Sequence, residues 1–240
     1  TEGELLFHTF GGDVSLVGVQ SDGACQGVTL RRVMALLPNG WLDLTVALSG
    51  EEHQYDWLLH GRGGLAPGQP TTPLSAAPGE GAYEWTTDWA SAGEGPSFGG
   101  DWAIDDELTV LLAHVVSPDA QVFTAIGRGN PPSARDPFVM SRTAAADAAW
   151  GTAAWWGGDV APEVTIVRGT RDGERLPLSD AAGIEVTVGD RRLVLLTGSA
   201  TFGEVALDGA GTLIEFRDGE PVRCLAADTT RVTVGGEEIR

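Results

Sequence analysis

Residues 27–63, GVTLRRVMALLPNGWLDLTVALSGEEHQYDWLLHGRG, decide the fold. Apolar and polar residues alternate through GVTLRRVMALL, Asn39-Gly40 interrupts, and GWLDLTVAL resumes the alternation. Asn-Gly between two such runs marks a β-hairpin, because both turn residues tolerate positive φ. A third run, HQYDWLLH, puts His53, Tyr55, Trp57 and Leu59 on one face of a strand and Gln54, Asp56, Leu58 and His60 on the other. The two histidines therefore point opposite ways, which argues against a shared metal, since ligands must converge within about 2 Å of one point. The favoured reading is framework: Tyr55 and Trp57 pack between sheets while Asp56 and His60 satisfy backbone or loop donors.

The same pattern extends outward through DVSLVGVQSDG (13–23), LTVLLAHVVSPD (108–119), AQVFTAIGRG (120–129), PEVTIVRGTRDG (162–173), GIEVTVGDRRLVLLTG (183–198), EVALDGAGTLIEFRDGEP (204–221) and TRVTVGGEEI (230–239). Period-two runs bounded by NG, DG and GD predict an all-β chain, a large antiparallel β-sandwich of supersandwich type formed by residues 1–240 as a single domain. The alanines of SRTAAADAAW (141–150) favour a helix, yet a strand FVMSR, a loop and a strand WGTAAWW fit better. Residues 61–100 differ in kind. They are rich in Gly, Pro, Ser and Ala and carry Tyr83, Trp85, Trp89 and Phe98, which predicts a long loop docked on the sandwich.

The 240 residues carry a formal charge of −19, with 34 acidic side chains against 15 arginines and no lysine. That balance makes nucleic acid and anionic membranes poor partners. No run is apolar enough to span a bilayer as a helix. The lone cysteines, Cys25 and Cys224, could pair in an oxidising compartment or remain buried thiols. HExxH, paired-cysteine zinc spacings and phosphate loops are all missing, and GRGNPP (127–132) reads as a turn. Asp101, Asp105, Asp106 and Glu107 read as a solvated strand start more readily than as a calcium site. The tryptophans at 85, 89, 102, 150, 155 and 156 lie in or near Gly-rich segments, where stacking platforms for sugars are often built.

Laid out in order, three segments resemble the C-terminal β-sandwich of the heparinase II/III-like polysaccharide lyases, the superfamily that includes oligo-alginate lyases. They are LRRVMALLPNGWLDLTVALSGEEHQYDWLLHGRG (30–63), VFTAIGRGNPPSARDPFVMSRTAAADAAWGTAAW (122–155), and the terminal meander from Ile184 to Ile239 with its VGG turn. The most specific motif is Tyr55-Asp56-Trp57 followed by His60. The resemblance implies cleavage of uronic-acid polysaccharides by β-elimination, with an N-terminal α/α toroid facing this sandwich. The family's His-x-His and His-Asn motifs occur nowhere in this chain, which begins after the point where they would lie.

The expectation is thus the wall of a lyase cleft, not catalytic alone, with an acidic polysaccharide or oligosaccharide and the toroid as partners and neither metal nor cofactor. The alternative is a stand-alone carbohydrate-binding or structural module. Arg62, Trp85, Trp89, Arg128 and Arg135 are the candidate substrate contacts; Tyr55 and His60 are weak catalytic candidates. A secreted or periplasmic location goes with that reading, and a cytoplasmic one remains open.

Overall fold

The computed structural model describes residues 3–79, 83–129, 131 and 133–239. Its first antiparallel sheet comprises β1 (Glu4–Gly11), β2 (Val14–Cys25), β3 (Val28–Leu37), β4 (Gly40–Leu48), β5 (His53–His60), β6 (Gly64–Pro67), β7 (Thr72–Pro73), β8 (Thr87–Ala103), β9 (Thr109–Arg128), β10 (Arg135–Ala145) and β11 (Ala148–Trp155). The second comprises β12 (Glu163–Arg168), β13 (Thr170–Arg171), β14 (Glu174–Arg175), β15 (Ala182–Val188), β16 (Arg191–Thr197), β17 (Ala200–Phe202), β18 (Val205–Arg217), β19 (Glu220–Val234) and β20 (Glu237–Glu238). The described residues contain no helix. The two sheets face each other as a β-sandwich, as the alternation predicts.

The main core lies between them. Leu42, Leu44 and Val46 of β4 with Ala149 and Ala153 of β11 meet Ile184, Leu193, Leu195 and Leu213 of the second sheet. Odd-numbered residues of β4 face the other way, into a second interior. That interior exists because the first sheet folds over itself: the first half of β9 pairs with β11 and the second half with β10, which carries β5 as its outer neighbour. β11 is consequently buried at every position. Small side chains fit a strand pressed from both faces, and a Cβ at Gly151 would lie 2.7 Å from Ile184 Cγ2. The alanines that resembled a helix are there for thinness.

Two expectations need correction. The loop over 61–100 contains three strands, and β8 alone runs 17 residues along β9. Its ladder is made by backbone, which glycine supplies as well as any residue, and it buries Phe98 and Trp102. Register shifts near Asp88, Gly93 and Gly95, all at positive φ, broke the period-two signal. The separate runs at 108–119 and 120–129 are one strand, β9. Pro118 sits between the stretch paired with β11 and the stretch paired with β10, opposite a register shift in β8, so its missing N–H removes no ladder bond.

The second sheet is a meander closed by tight turns. Asp172-Gly173, Asp218-Gly219 and Gly235-Gly236 each form a two-residue loop with both φ angles positive, the signature of type I′. Cys25 and Cys224 lie on strands of different sheets, β2 and β19, and are free thiols. Residues 80–82 of the excursion and 130 and 132 of GRGNPP lie outside the described residues.

Phe7 ties the sheets together. A Cβ at Gly18 of β2 would come 2.4 Å from its ring, and one at Gly211 of β18 would also come 2.4 Å from it. Gly211→Ala should therefore destabilise the protein by about 1–3 kcal/mol, read from the urea midpoint. Shrinking the ring in the same chain with Phe7→Leu should return part of that loss, and an additive pair would disprove the slot.

Candidate functional site

β5 carries the resemblance motif, and its two faces do different work. Its register with β10 sets Tyr55 opposite Thr143, Trp57 opposite Ser141 and His60 opposite Phe138. On the inner face the Trp57 ring stacks on His114 of β9, centroids 4.3 Å apart and planes 20° apart. His114 Nδ1 is 3.0 Å from Thr152 Oγ1 and Nε2 is 2.9 Å from Ser141 Oγ. One ring nitrogen donates and the other accepts, and the hydroxyls take the complementary roles. Burial pushes the imidazole pKa down to about 3, so the ring is neutral. Ser141 is wholly buried, so this serine–histidine contact is closed to a substrate. The network cross-links β9, β10 and β11. Tyr55 donates to the Ala146 carbonyl at 2.9 Å and meets Trp150 edge-on; burial, with Asp147 and Cys25 adding, raises its hydroxyl pKa.

On the outer face Asp56 accepts Arg142 Nε at 2.6 Å and Nη2 at 2.7 Å, and the Tyr83 hydroxyl at 2.5 Å. Arg142 also donates to the Pro78 carbonyl. These bonds clamp the described parts of the 74–86 segment over a cluster built from Trp89, Phe123, Phe138 and Met140. Burial, and then the bond to Asp56, push the Tyr83 hydroxyl up to about 12. His60 lies on this same face, stacked on Phe138 at 4.8 Å. Burial lowers its pKa against the opposing pull of Asp136. Tyr55 and His60 thus sit on opposite faces of β5, each engaged with its own neighbours, and do not converge.

Four of the five candidate contacts come to one end of the first sheet. Arg128 and Arg135 are cross-strand partners at the end of β9 and start of β10. The Arg128 guanidinium lies 4.2 Å over the ring of Trp85, which is 59% exposed. Arg62 leaves β5 at the same end, just beyond Gly61, whose N–H donates to Pro137 O at 3.3 Å. Trp89 departs from expectation. It is 4% exposed, its Nε1 donates to Thr86 Oγ1 at 2.8 Å, and it meets Tyr83, Phe123 and Phe138 edge-on. A ring surrounded in this way presents no face to a sugar. Trp102, Trp150 and Trp155 are core residues too.

Sequence reasoning gave Tyr83 only as an aromatic of the docked segment and missed Arg142 and His114. The last had one signal, a histidine inside the apolar run LLAHVV. Among the described residues no three His, Cys, Asp or Glu side chains converge to hold a metal ion. The acidic run is a turn in which Asp105 accepts the N–H groups of Glu107 at 2.9 Å and Leu108 at 2.8 Å.

No protein-family profile matches the chain, and no curated protein matches it in sequence. Solved structures do match in fold. A heparinase III, the BT4657 gene product, superposes with a TM-score of 0.53 at 9% identity, covering 90% of this chain and 28% of its own. A form of that product with methylated lysines gives 0.53 at 8% identity, with 90% and 27% covered. The likeness is one of fold, and the chain spans less than a third of those proteins.

The clamp and the buried imidazole each give a measurable consequence. Asp56→Asn should cost about 2–4 kcal/mol, because it strands a largely buried guanidinium, and should open the chain to trypsin near 74–86; unchanged cleavage would count against the clamp. Because burial favours neutral His114, the unfolded chain takes up a proton below pH 6.5 that the folded chain accepts only near 3. This contribution is whole above 6.5 and falls with decreasing pH by about 1 kcal/mol per unit down to about 3. The stability difference between wild type and His114→Gln should therefore shrink as pH drops through that window, in urea titrations at fixed ionic strength.

Proposed function

We propose that this chain is the β-sandwich part of a polysaccharide lyase acting on uronic-acid glycans by β-elimination, and that it forms one wall of the substrate cleft without being catalytic alone. The observation that carries the proposal is the fold likeness to heparinase III over 90% of this chain and only 28% of that protein. The resemblance of 30–63 and 122–155 to the sandwich of that superfamily points the same way.

Two surfaces fit the role. The outer face of β1–β3 leaves Phe10 72% exposed and Leu36 54% exposed, and beside them Val17, Met34, Trp41 and Leu59 line a cavity of about 410 Å³. An apolar face of this kind on a strongly acidic chain is suited to a partner domain, and an α/α toroid is the partner the resemblance implies. The cationic end made by Arg62, Arg128 and Arg135, with Trp85 beside them, offers charge for a uronate and a ring edge for its sugar. Elimination needs a base, an acid and a cation at the carboxylate; on this reading the toroid supplies the first two. A secreted or periplasmic setting suits such a substrate.

The test is affinity electrophoresis of the chain through gels containing heparin, alginate or hyaluronan, alongside absorbance of unsaturated uronide. Retardation by at least one glycan is expected, weakened about tenfold in the Trp85→Ala/Arg128→Ala variant, with no unsaturated product from the chain alone. Product formation that His60→Ala abolishes would overturn the assignment of chemistry to the toroid, and equal migration of both proteins would overturn the contact site.

A further inference from the structure

The second sheet also folds over itself. Its outer lobe is made of β13, β17, the first half of β18 and the second half of β19, with Phe202, Val205, Leu207 and Val232 turned inward. The opposite face of this lobe carries Thr170, Thr201, Ala206 and Thr233 as consecutive cross-strand partners, one row across four strands. Ser199 and the Asp208–Arg231 pair lie beside that row. Together they line a groove of about 680 Å³, within the size range of small-ligand sites.

Ala206 is the one small side chain in the row, and it makes the floor concave. Thr233 is 8% exposed, and among the described residues its hydroxyl and that of Thr201 have no protein partner. Both hydroxyls are open to solvent in the groove and are free to bond a guest in place of water. Arg171 and Arg231 also line the groove. Arg171 is oriented by donating to the Ser199 carbonyl at 3.0 Å, and Arg231 sits 3.8 Å from Glu238. Asp208 accepts Thr230 Oγ1 at 2.7 Å and Ser199 Oγ at 3.3 Å, so its carboxylate is engaged by the wall.

We infer that this groove is a second, independent binding site for a short acidic saccharide, with Thr201 and Thr233 bonding sugar hydroxyls and Arg171 and Arg231 meeting the carboxylates. Hydroxyls both donate and accept, which suits a polyol better than a fully ionised polymer. Guanidinium forks match carboxylates two bonds at a time. The site needs no lyase partner and lies on the other sheet from Trp85 and Arg128.

The test is a ¹H–¹⁵N NMR titration of the 240-residue chain with trigalacturonate, maltotriose and inorganic sulfate in separate arms. Trigalacturonate should give saturable shifts at the Thr201, Thr233, Gly235 and Gly236 amides. Arg171→Gln/Arg231→Gln should weaken them at least tenfold, and Trp85→Ala/Arg128→Ala should leave them unchanged. Thr201→Val, at an exposed position, supplies a second variant should the double arginine change disturb the fold. Equal affinity for maltotriose would overturn the charge requirement, and equal affinity for sulfate would reduce the groove to an anion site. Absence of saturable shifts there would overturn the proposal outright while leaving the Trp85–Arg128 contact to stand or fall on its own retardation assay.

Discussion

The structure depends on β11 being pressed from both faces. One side meets the second sheet and the other meets the folded-over layer of β9, β10 and β5, so every β11 residue is buried. Three layers in so short a chain require the middle one to be thin, and AAWGTAAW is thin. They also bring polar groups into the second interior, where each needs a partner. His114 is held by Ser141 and Thr152, and Asp43 is held by Arg32 and Thr45. Burial raises the Asp43 carboxyl pKa against the pull of Arg32.

The same layer explains the motif at 53–60. β5 is its outermost strand, with Gln54, Leu58 and His60 exposed, and Tyr55, Asp56, Trp57 and His60 each engage a neighbour: a carbonyl, an arginine with a tyrosine, an imidazole, and a phenyl ring. Residue types associated with catalysis here serve packing. The cations and the exposed tryptophan, which have looser surroundings, are gathered at the strand ends instead.

Strands whose backbone and side-chain patterns agree were legible from sequence. β2, β4 and β15 alternate, although the β3–β4 hairpin turns at Pro38-Asn39, with Gly40 already paired to Leu37, one residue before the Asn-Gly that marked it. β8 was hidden because glycines and register shifts erase alternation while leaving the ladder intact. β9 looked like two strands because its change of partner falls at a proline. Of the candidate contacts, Arg62, Trp85, Arg128 and Arg135 reached one end of the sheet, but Trp89 did not. Composition cannot distinguish a tryptophan roofed by its own loop from one left open, since the difference lies in a clamp between residues 56, 83 and 142 that are distant in sequence.

The chain also has an uneven history of assembly built into its connectivity. The C-terminal meander joins neighbours through two-residue turns, so its contacts are local and close quickly. β4, by contrast, must wait for β11, and β5 for β10, across most of the N-terminal half. During synthesis the slow half emerges first and the fast half last. Until Ile184 and Leu195 arrive, the apolar face of β4 has nothing to close against, and that interval is when the nascent polypeptide is most exposed to aggregation.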